Sequence, residues 1–407
     1  MNCRHCHTPL RHPFLDLGHA PPSNAYLTAA DLARPERYYP LRLWVCEECW
    51  LVQTEDYAEA GELFDAEYAY FSSTSSSWLE HARRYSQQML ETLELGASRL
   101  VIEVASNDGY LLKNFVAAGV PCLGIEPTAS TADAAERLGI PVLREFFGEA
   151  LGQRLAGEGR QADLLIGNNV FAHVPDINDF SRGLKAALKS GGTLTLEFPH
   201  LLRLIEQVQF DTVYHEHFSY LSLYSAQRIL EEAGLRVFDV EELRTHGGSL
   251  RLFACHAEDS RGTAPSVAAV LDEEQRAGLR MLATYREFQA RADRVKDELL
   301  AFLIEQKRAG RRVLAYGAAA KGNTILNYGG VKLDLLPCVF DAAPSKQGKY
   351  MPGSHIPIHP AAALEQMQFD YLLILPWNIA DEVTRQLAHL AEAGVRFVTA
   401  VPHLEIR

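Results

Sequence analysis

Four consecutive residues, Tyr214-His215-Glu216-His217, gather two imidazoles, a phenol and a carboxylate in one short stretch. They offer a base and hydrogen-bond donors within four positions, and histidine, with an ordinary pKa of ~6.5, suits a base at neutral pH. The stretch lacks the HExxH spacing of zinc hydrolases, and histidines at i and i+2 do not share a helix face, so it is not read as a metal site. His173, just past an apolar run ending at Leu165-Ile166, is a further candidate near the same chemistry.

A second constellation sits at the N-terminus. Cys3-x-x-Cys6 and Cys46-x-x-Cys49 are matched pairs, each short enough to point two thiolates at one ion. Four thiolates fill tetrahedral Zn²⁺ and leave no open position, which makes the expected site structural. The 39 residues between the pairs exceed the usual ribbon spacing, but the loop can fold back. His5 and His7 are not needed as ligands. Cys122, Cys255 and Cys338 lie in or beside strand-like runs and read as core.

These groups must be positioned by regular elements. Strand and helix patterns alternate from about residue 99: strands at 99–104, 122–126, 162–166 and 193–198, and helices at 110–118, 128–138 and 179–189, the last closed by Gly191-Gly192. A helical pattern over 78–95 precedes them. Repeated βα order implies a mostly parallel sheet with helices on both faces. Residues 264–308 read as one long helix or a broken pair, and a second α/β series follows with strands at 312–316, 336–340, 371–375 and 395–401. The expected fold is α/β in three parts: a four-cysteine zinc domain over 1–70, a Rossmann-like domain over 71–250 and a second Rossmann-like domain over 251–407.

Val101-Ile-Glu-Val-Ala-Ser-Asn-Asp-Gly-Tyr110 follows a strand and opens a helix, where such sheets place ligands. GxGxxG is absent and only Gly109 is a glycine, which argues against a dinucleotide. Glu103 lies inside the strand, and Glu126 ends the next strand 23 residues later, placed to accept from two ribose hydroxyls. This fits a nucleoside with no pyrophosphate, such as S-adenosylmethionine, with Ser106, Asp108, Gly109, Asn168 and Asn169 completing the expected cradle. The turn Tyr316-Gly-Ala-Ala-Ala-Lys-Gly-Asn-Thr324 is no Walker loop. Its small residues, a helix N-terminus and Lys321 suit a diphosphate, with Asn323, Asn327 and Tyr316 beside it.

Taken in order, the two CxxC pairs, Phe71-Ser-Ser-Thr-Ser75, Ile102-Glu-Val-Ala-Ser-Asn-Asp-Gly109, Asn168-Asn-Val-Phe-Ala-His173, Glu197-Phe-Pro-His200, Tyr214-His-Glu-His217 and the run Tyr316–Tyr328 resemble the bacterial three-domain sugar C-methyltransferases of deoxysugar biosynthesis. The resemblance covers nearly the whole chain. It implies a class I methyltransferase domain between a zinc domain and a C-terminal Rossmann-like domain. It also implies transfer of a methyl group from S-adenosylmethionine to a carbon, mostly C3, of a nucleotide-diphosphate 4-keto-6-deoxysugar, dTDP-linked by expectation. In that reading His217 removes the proton beside the ketone, Tyr214 and Glu216 position the sugar or shape the base, and His173 donates to the keto oxygen or contacts the cofactor. Tyr70 and Phe71, before a Ser-rich turn, are expected either to serve aromatic packing alone or to form a wall or lid over cofactor and sugar. Two rivals remain open: methylation of a hydroxyl or amine, and a non-catalytic zinc-ribbon protein with a methyltransferase-like fold.

The net charge of −13 argues against nucleic-acid binding by phosphate neutralisation. No apolar run is long enough to span a bilayer and no signal peptide is visible, so a cytoplasmic monomer with reduced cysteines is expected.

Overall fold

The computed structural model describes residues 1–55, 57 and 72–407; Tyr70 and Phe71 lie outside them. The N-terminal part is an antiparallel sheet of β1 (His12–Ala20), β2 (Tyr39–Val45) and β3 (Val52–Thr54). It is completed by β9 (Ser219–Tyr220) from far along the chain. The two CxxC turns are built alike. The residue after each second cysteine, His7 (φ 61) or Trp50 (φ 60), adopts a left-handed conformation. Its N–H donates to the carbonyl of the first cysteine, at 3.0 Å in both turns.

The central sheet has seven strands in the order β10-β11-β8-β7-β4-β5-β6. The strands β4 (Val101–Val104), β5 (Cys122–Ile125), β6 (Val142–Leu143), β7 (Ala162–Asn168) and β8 (Leu188–Pro199) run parallel. Antiparallel β11 (Ser249–His256) and β10 (Leu235–Leu243) close one side. Val101–Val104 is buried throughout, as a central parallel strand covered on both faces must be. Helix starts follow local chemistry: Ser75 accepts from the Trp78 N–H, Asp176 from the Asp179 N–H, and Ser222 with Ser225 forms a capping box. The helix expected over 179–189 spans Ile177–Ala187 instead, and Gly191-Gly192 lie within β8 rather than closing it. A Cβ at Gly192 would stand 2.9 Å from the Ala162 carbonyl, so close backbone approach explains that glycine. Since β11 pairs with β8 as far as Ala254, the central sheet crosses the boundary expected at 250.

The stretch 264–308 forms three helices, Pro265–Arg276, Leu282–Arg286 and Phe288–Arg308, the first break falling at Gly278 (φ 79). The C-terminal sheet contains β12 (Val313–Tyr316), β13 (Val339–Asp341), β14 (Ile358–Pro360), β15 (Tyr371–Ile374), β16 (Arg396–Thr399) and antiparallel β17 (Glu405–Ile406). Its order is β14-β13-β12-β15-β16-β17. In both α/β sheets the first strand, β4 or β12, lies between neighbours that lead in opposite directions. The crevice beyond the carboxyl end of such a strand is where these folds bind ligands.

The parts are welded together. One apolar cluster runs from Phe14 and Leu15 of β1 through Phe288 and Leu299 to Val313 and Leu373. Cys3, Cys46 and Cys49 pack into a second with Ile102 and Leu165. No helix among the described residues is long and apolar enough to cross a membrane.

Candidate active site

The carboxyl ends of β4 and β12 open into one cavity of about 550 Å³, walled by all three parts of the chain. Asn24 comes from the N-terminal part; Glu126, His173 and His217 come from the central part; Lys321 and Lys346 come from the C-terminal part.

The loop after β4 has an unusual backbone. Ala105 (φ 57), Asn107 (φ 49) and Gly109 (φ 77) alternate in the left-handed region. Asparagine tolerates that region, whereas alanine pays roughly 1–2 kcal/mol there. The chain thus takes the path of a glycine-rich loop with only one glycine. A Cβ on Gly109 would meet Ile140 Cδ1 at 2.5 Å. Glu126 is buried, and its two oxygens accept from the Asn107 N–H (3.0 Å) and the Thr128 N–H (2.9 Å). These bonds fix the carboxylate while leaving lone pairs for ribose hydroxyls. Asn168 and Asn169 also line the cavity, and each has a buried carboxamide oxygen without a partner among the described residues. Orphaned acceptors beside a fixed carboxylate fit an adenosyl cofactor with an amino group.

Four expected cofactor residues, Glu103, Ser106, Asp108 and Gly109, are not in the cavity wall; Glu103 lies within β4 and the other three within the loop, buried on its far side, where they shape it. Ser106 N–H donates to the Ile125 carbonyl, and Asp108 accepts from the Ser73 N–H. The Glu103 carboxyl is pushed well up by burial, then by Asp108 and Glu126. The sequence reading missed Ala105, Asn107, Trp78 and the exposed Phe146, all in the wall. Only Asn107, a residue type tolerant of positive φ, carried a local signal.

Tyr214–His217 is a turn closed by the His217 N–H on the Tyr214 carbonyl at 3.0 Å. It folds the Tyr214 ring to 4.1 Å from the His217 ring. Glu216 accepts from Asn24 Nδ2 with both oxygens (2.9 and 2.8 Å). His215 turns away to the carbonyls of Tyr39 and Pro40. His173 lies edge-on to His217, ring centroids 4.5 Å apart. Its Nδ1 is 2.8 Å from the Glu216 carbonyl, so Nδ1 carries the proton and Nε2 is an acceptor. That tautomer leaves the neutral ring no proton for a keto oxygen, contrary to the donor role expected of it. Burial lowers the His173 pKa to about 4. Burial also drives His217 well below its ordinary value, with His173 adding to the effect, and its ring is bonded to the Thr212 backbone. Both rings are therefore neutral at pH 7.

On the C-terminal side Lys321 is half-buried, donates to Asn378 Oδ1 at 2.6 Å and lies 4.5 Å from the Trp377 ring centroid. Burial lowers its pKa to about 8, against the pull of Asp211. Lys346 donates to the Ala318 carbonyl at 2.8 Å. Asn323 and Asn327 do not reach the cavity: their amides are committed to the carbonyls of Ser23 (2.7 Å) and Pro352 (3.1 Å). Tyr316 is buried in the apolar cluster with Phe340 and Leu372. These three are joints of the fold.

The four cysteine sulfurs lie within 4.8 Å of one another, with Cys3–Cys49 and Cys6–Cys46 both at 3.5 Å. Zn–S bonds of ~2.3 Å in a tetrahedron require edges of about 3.8 Å, so the thiols fit zinc. Gln53 Nε2 donates to Cys3 Sγ at 3.3 Å, as suits a thiolate. His5 is held by Asn178 and is outside the cluster.

Family models match along the chain: a zinc binding domain over 3–64, a methyltransferase domain over 78–240 and a C-methyltransferase C-terminal domain over 244–402. C-methyltransferase NovU of Streptomyces niveus is 34% identical over 388 residues, covering 95% of this chain and 92% of that protein. The chain belongs to this C-methyltransferase family. It is an S-adenosylmethionine-dependent C-methyltransferase, and Cys3, Cys6, Cys46 and Cys49 form the cluster of its zinc-binding domain. An uncharacterized methyltransferase of Mycobacterium leprae is 29% identical over 100 residues, covering 25% of this chain and 37% of that protein. Among solved structures, magnesium protoporphyrin IX methyltransferase of Synechocystis PCC 6803 superposes with a TM-score of 0.35 at 15% identity, covering 44% of this chain and 83% of that one.

Proposed function

We propose that this C-methyltransferase methylates a carbon beside the ketone of a nucleotide-diphosphate 4-keto-6-deoxysugar. The observation that carries the reading is the single cavity that joins the cofactor loop, the Tyr214–His217 turn and two lysines. A carbon nucleophile arises when the proton beside a ketone is removed and the C–H pair delocalises onto the carbonyl oxygen. His217 is the base: its ring is neutral, and one nitrogen keeps a lone pair while the other donates to the Thr212 backbone. A negatively charged substrate raises its low pKa and strengthens it as a base. Tyr214 and the Asn24-held Glu216 position the sugar hydroxyls. Lys321, Lys346 and the uncapped N-terminus of helix Ala320–Tyr328 supply positive potential for the diphosphate. When bound, S-adenosylmethionine supplies an electrophilic methyl group at its sulfonium.

The test is incubation with labelled S-adenosylmethionine and a panel of dTDP-, GDP- and CDP-4-keto-6-deoxysugars, with NMR to locate the methyl group. A methyl on the carbon next to the ketone supports the reading. Equal methylation of the sugar reduced at C4 would favour an oxygen or nitrogen acceptor.

The lysine role has a pH signature. Lys321 is charged below about 8 and neutral above it. The KM for the nucleotide sugar is expected to rise several-fold between pH ~7.5 and ~9. In Lys321→Arg, which stays charged, that rise should disappear. A KM flat across this range in the unaltered enzyme would remove Lys321 from diphosphate binding.

A further inference from the structure

We propose that His246 is a catalytic residue that donates the hydrogen bond to the developing enolate oxygen; this rests on the reaction assigned above. His246 lies in the short connection between β10 and β11 and lines the cavity. Its backbone is left-handed (φ 54), followed by Gly247 (φ 89) and Gly248 (φ 115). Neither glycine has room for a side chain: a Cβ on Gly247 would meet Trp377 at 2.5 Å and Gln209 at 2.7 Å, and one on Gly248 would meet Arg203 at 2.7 Å. Strained backbone of this kind, clamped between the central and C-terminal parts, is characteristic of residues held for function.

The side chain is as constrained as the backbone. Trp78 packs 5.1 Å from the His246 ring centroid. Asn169, itself left-handed (φ 53), places its Nδ2 at 3.4 Å from His246 Nε2. An amide N–H facing Nε2 makes that nitrogen the acceptor, so the neutral ring carries its proton on Nδ1. Burial and the nearby Lys321 charge lower the pKa to about 4, so the ring is a neutral donor.

Elimination among the cavity histidines leads to the same residue. His173 spends its N–H on the Glu216 carbonyl, and His217 donates to the Thr212 backbone. The N–H of His246 has no acceptor among the described residues. In the reaction, His217 takes the proton from carbon, the C–H pair becomes a C=C bond and the carbonyl π pair moves to oxygen. His246 keeps its proton and lends only a hydrogen bond. The oxygen pair re-forms the ketone as the carbon bonds to the methyl group.

His246→Gly and His246→Asn both tolerate the left-handed backbone, so they separate chemistry from folding. The asparagine amide nitrogen can occupy the place of Nδ1 and keeps a donor there. With a dTDP-linked 4-keto-6-deoxyhexose, His246→Gly is expected to lose ~100-fold or more in kcat and in solvent deuterium exchange beside the ketone, as when one oxyanion donor is removed. His246→Asn should recover to within roughly 10-fold of the unaltered enzyme. Calorimetry should give an unchanged affinity for S-adenosylmethionine in both. Undiminished exchange in His246→Gly would overturn the assignment, and so would a loss matched by equal loss of cofactor affinity. If the unaltered enzyme exchanges no deuterium into any sugar of the panel, the reaction reading itself falls, a result distinct from either.

Discussion

Stripping zinc, or replacing Cys49 by serine, is expected to abolish methyl transfer although no cysteine of the cluster lines the cavity. Structural zinc contributes ~10–16 kcal/mol of apparent binding energy to small zinc-finger folds, as much as a whole domain's stability of about 5–15 kcal/mol. The second knuckle runs straight into β3, and β3 holds the Tyr214–His217 turn. The Thr54 N–H donates to the Phe218 carbonyl at 3.1 Å, and Thr54 Oγ1 to the His217 carbonyl at 3.2 Å. The same N-terminal part supplies Asn24 to Glu216. Metal-depleted protein should therefore melt at lower temperature and lose activity together, with both recovered on adding Zn²⁺ but not Mg²⁺. A metal-free protein with full turnover would show the cluster to be dispensable for the site.

His217→Ala should lower kcat by about 10²–10⁴, the span typical of losing a general base. Solvent deuterium exchange beside the ketone should fall with it, while the affinity for S-adenosylmethionine holds. Because burial already keeps this ring neutral, its loss should not be mimicked by mild acid: the acidic limb of the pH profile is expected below the ordinary histidine pKa of ~6.5. Exchange and turnover unchanged in His217→Ala would eliminate it as the base.

Local chemistry was legible where it was dense. The CxxC pairs announced a metal cluster because ligand type and spacing are enough. The βα alternation announced two Rossmann-like sheets because periodicity is a local property. The Tyr214–His217 turn was visible because its four polar groups are adjacent in sequence. Tautomers were not: whether His173 donates or accepts depends on a carbonyl from residue 216, distant in the chain. The loop after β4 hid its shape because Ala105 occupies a left-handed position that alanine rarely takes. His246 was missed although Gly247-Gly248 followed it, since the reason for those glycines lies on Trp377, Gln209 and Arg203. Asn323 and Asn327 looked like ligands of a diphosphate because composition does not reveal that their amides meet carbonyls distant in the sequence, Ser23 in the N-terminal part and Pro352 within the C-terminal part.

The pairing of β3 with β9 has a consequence for biosynthesis. Residues 52–54 leave the ribosome long before residues 219–220, at roughly 5–20 residues per second a delay on the order of 10–30 s. During that interval β3 is a bare strand edge, the kind that recruits stray chains. The thiols of Cys46 and Cys49 adjoin it, and their partners at Cys3 and Cys6 have already emerged. Metal capture by the nascent chain can pin the hairpin while its last strand is still being made. The cluster would then serve as a chaperone of the unfinished enzyme before it serves as a strut of the finished one.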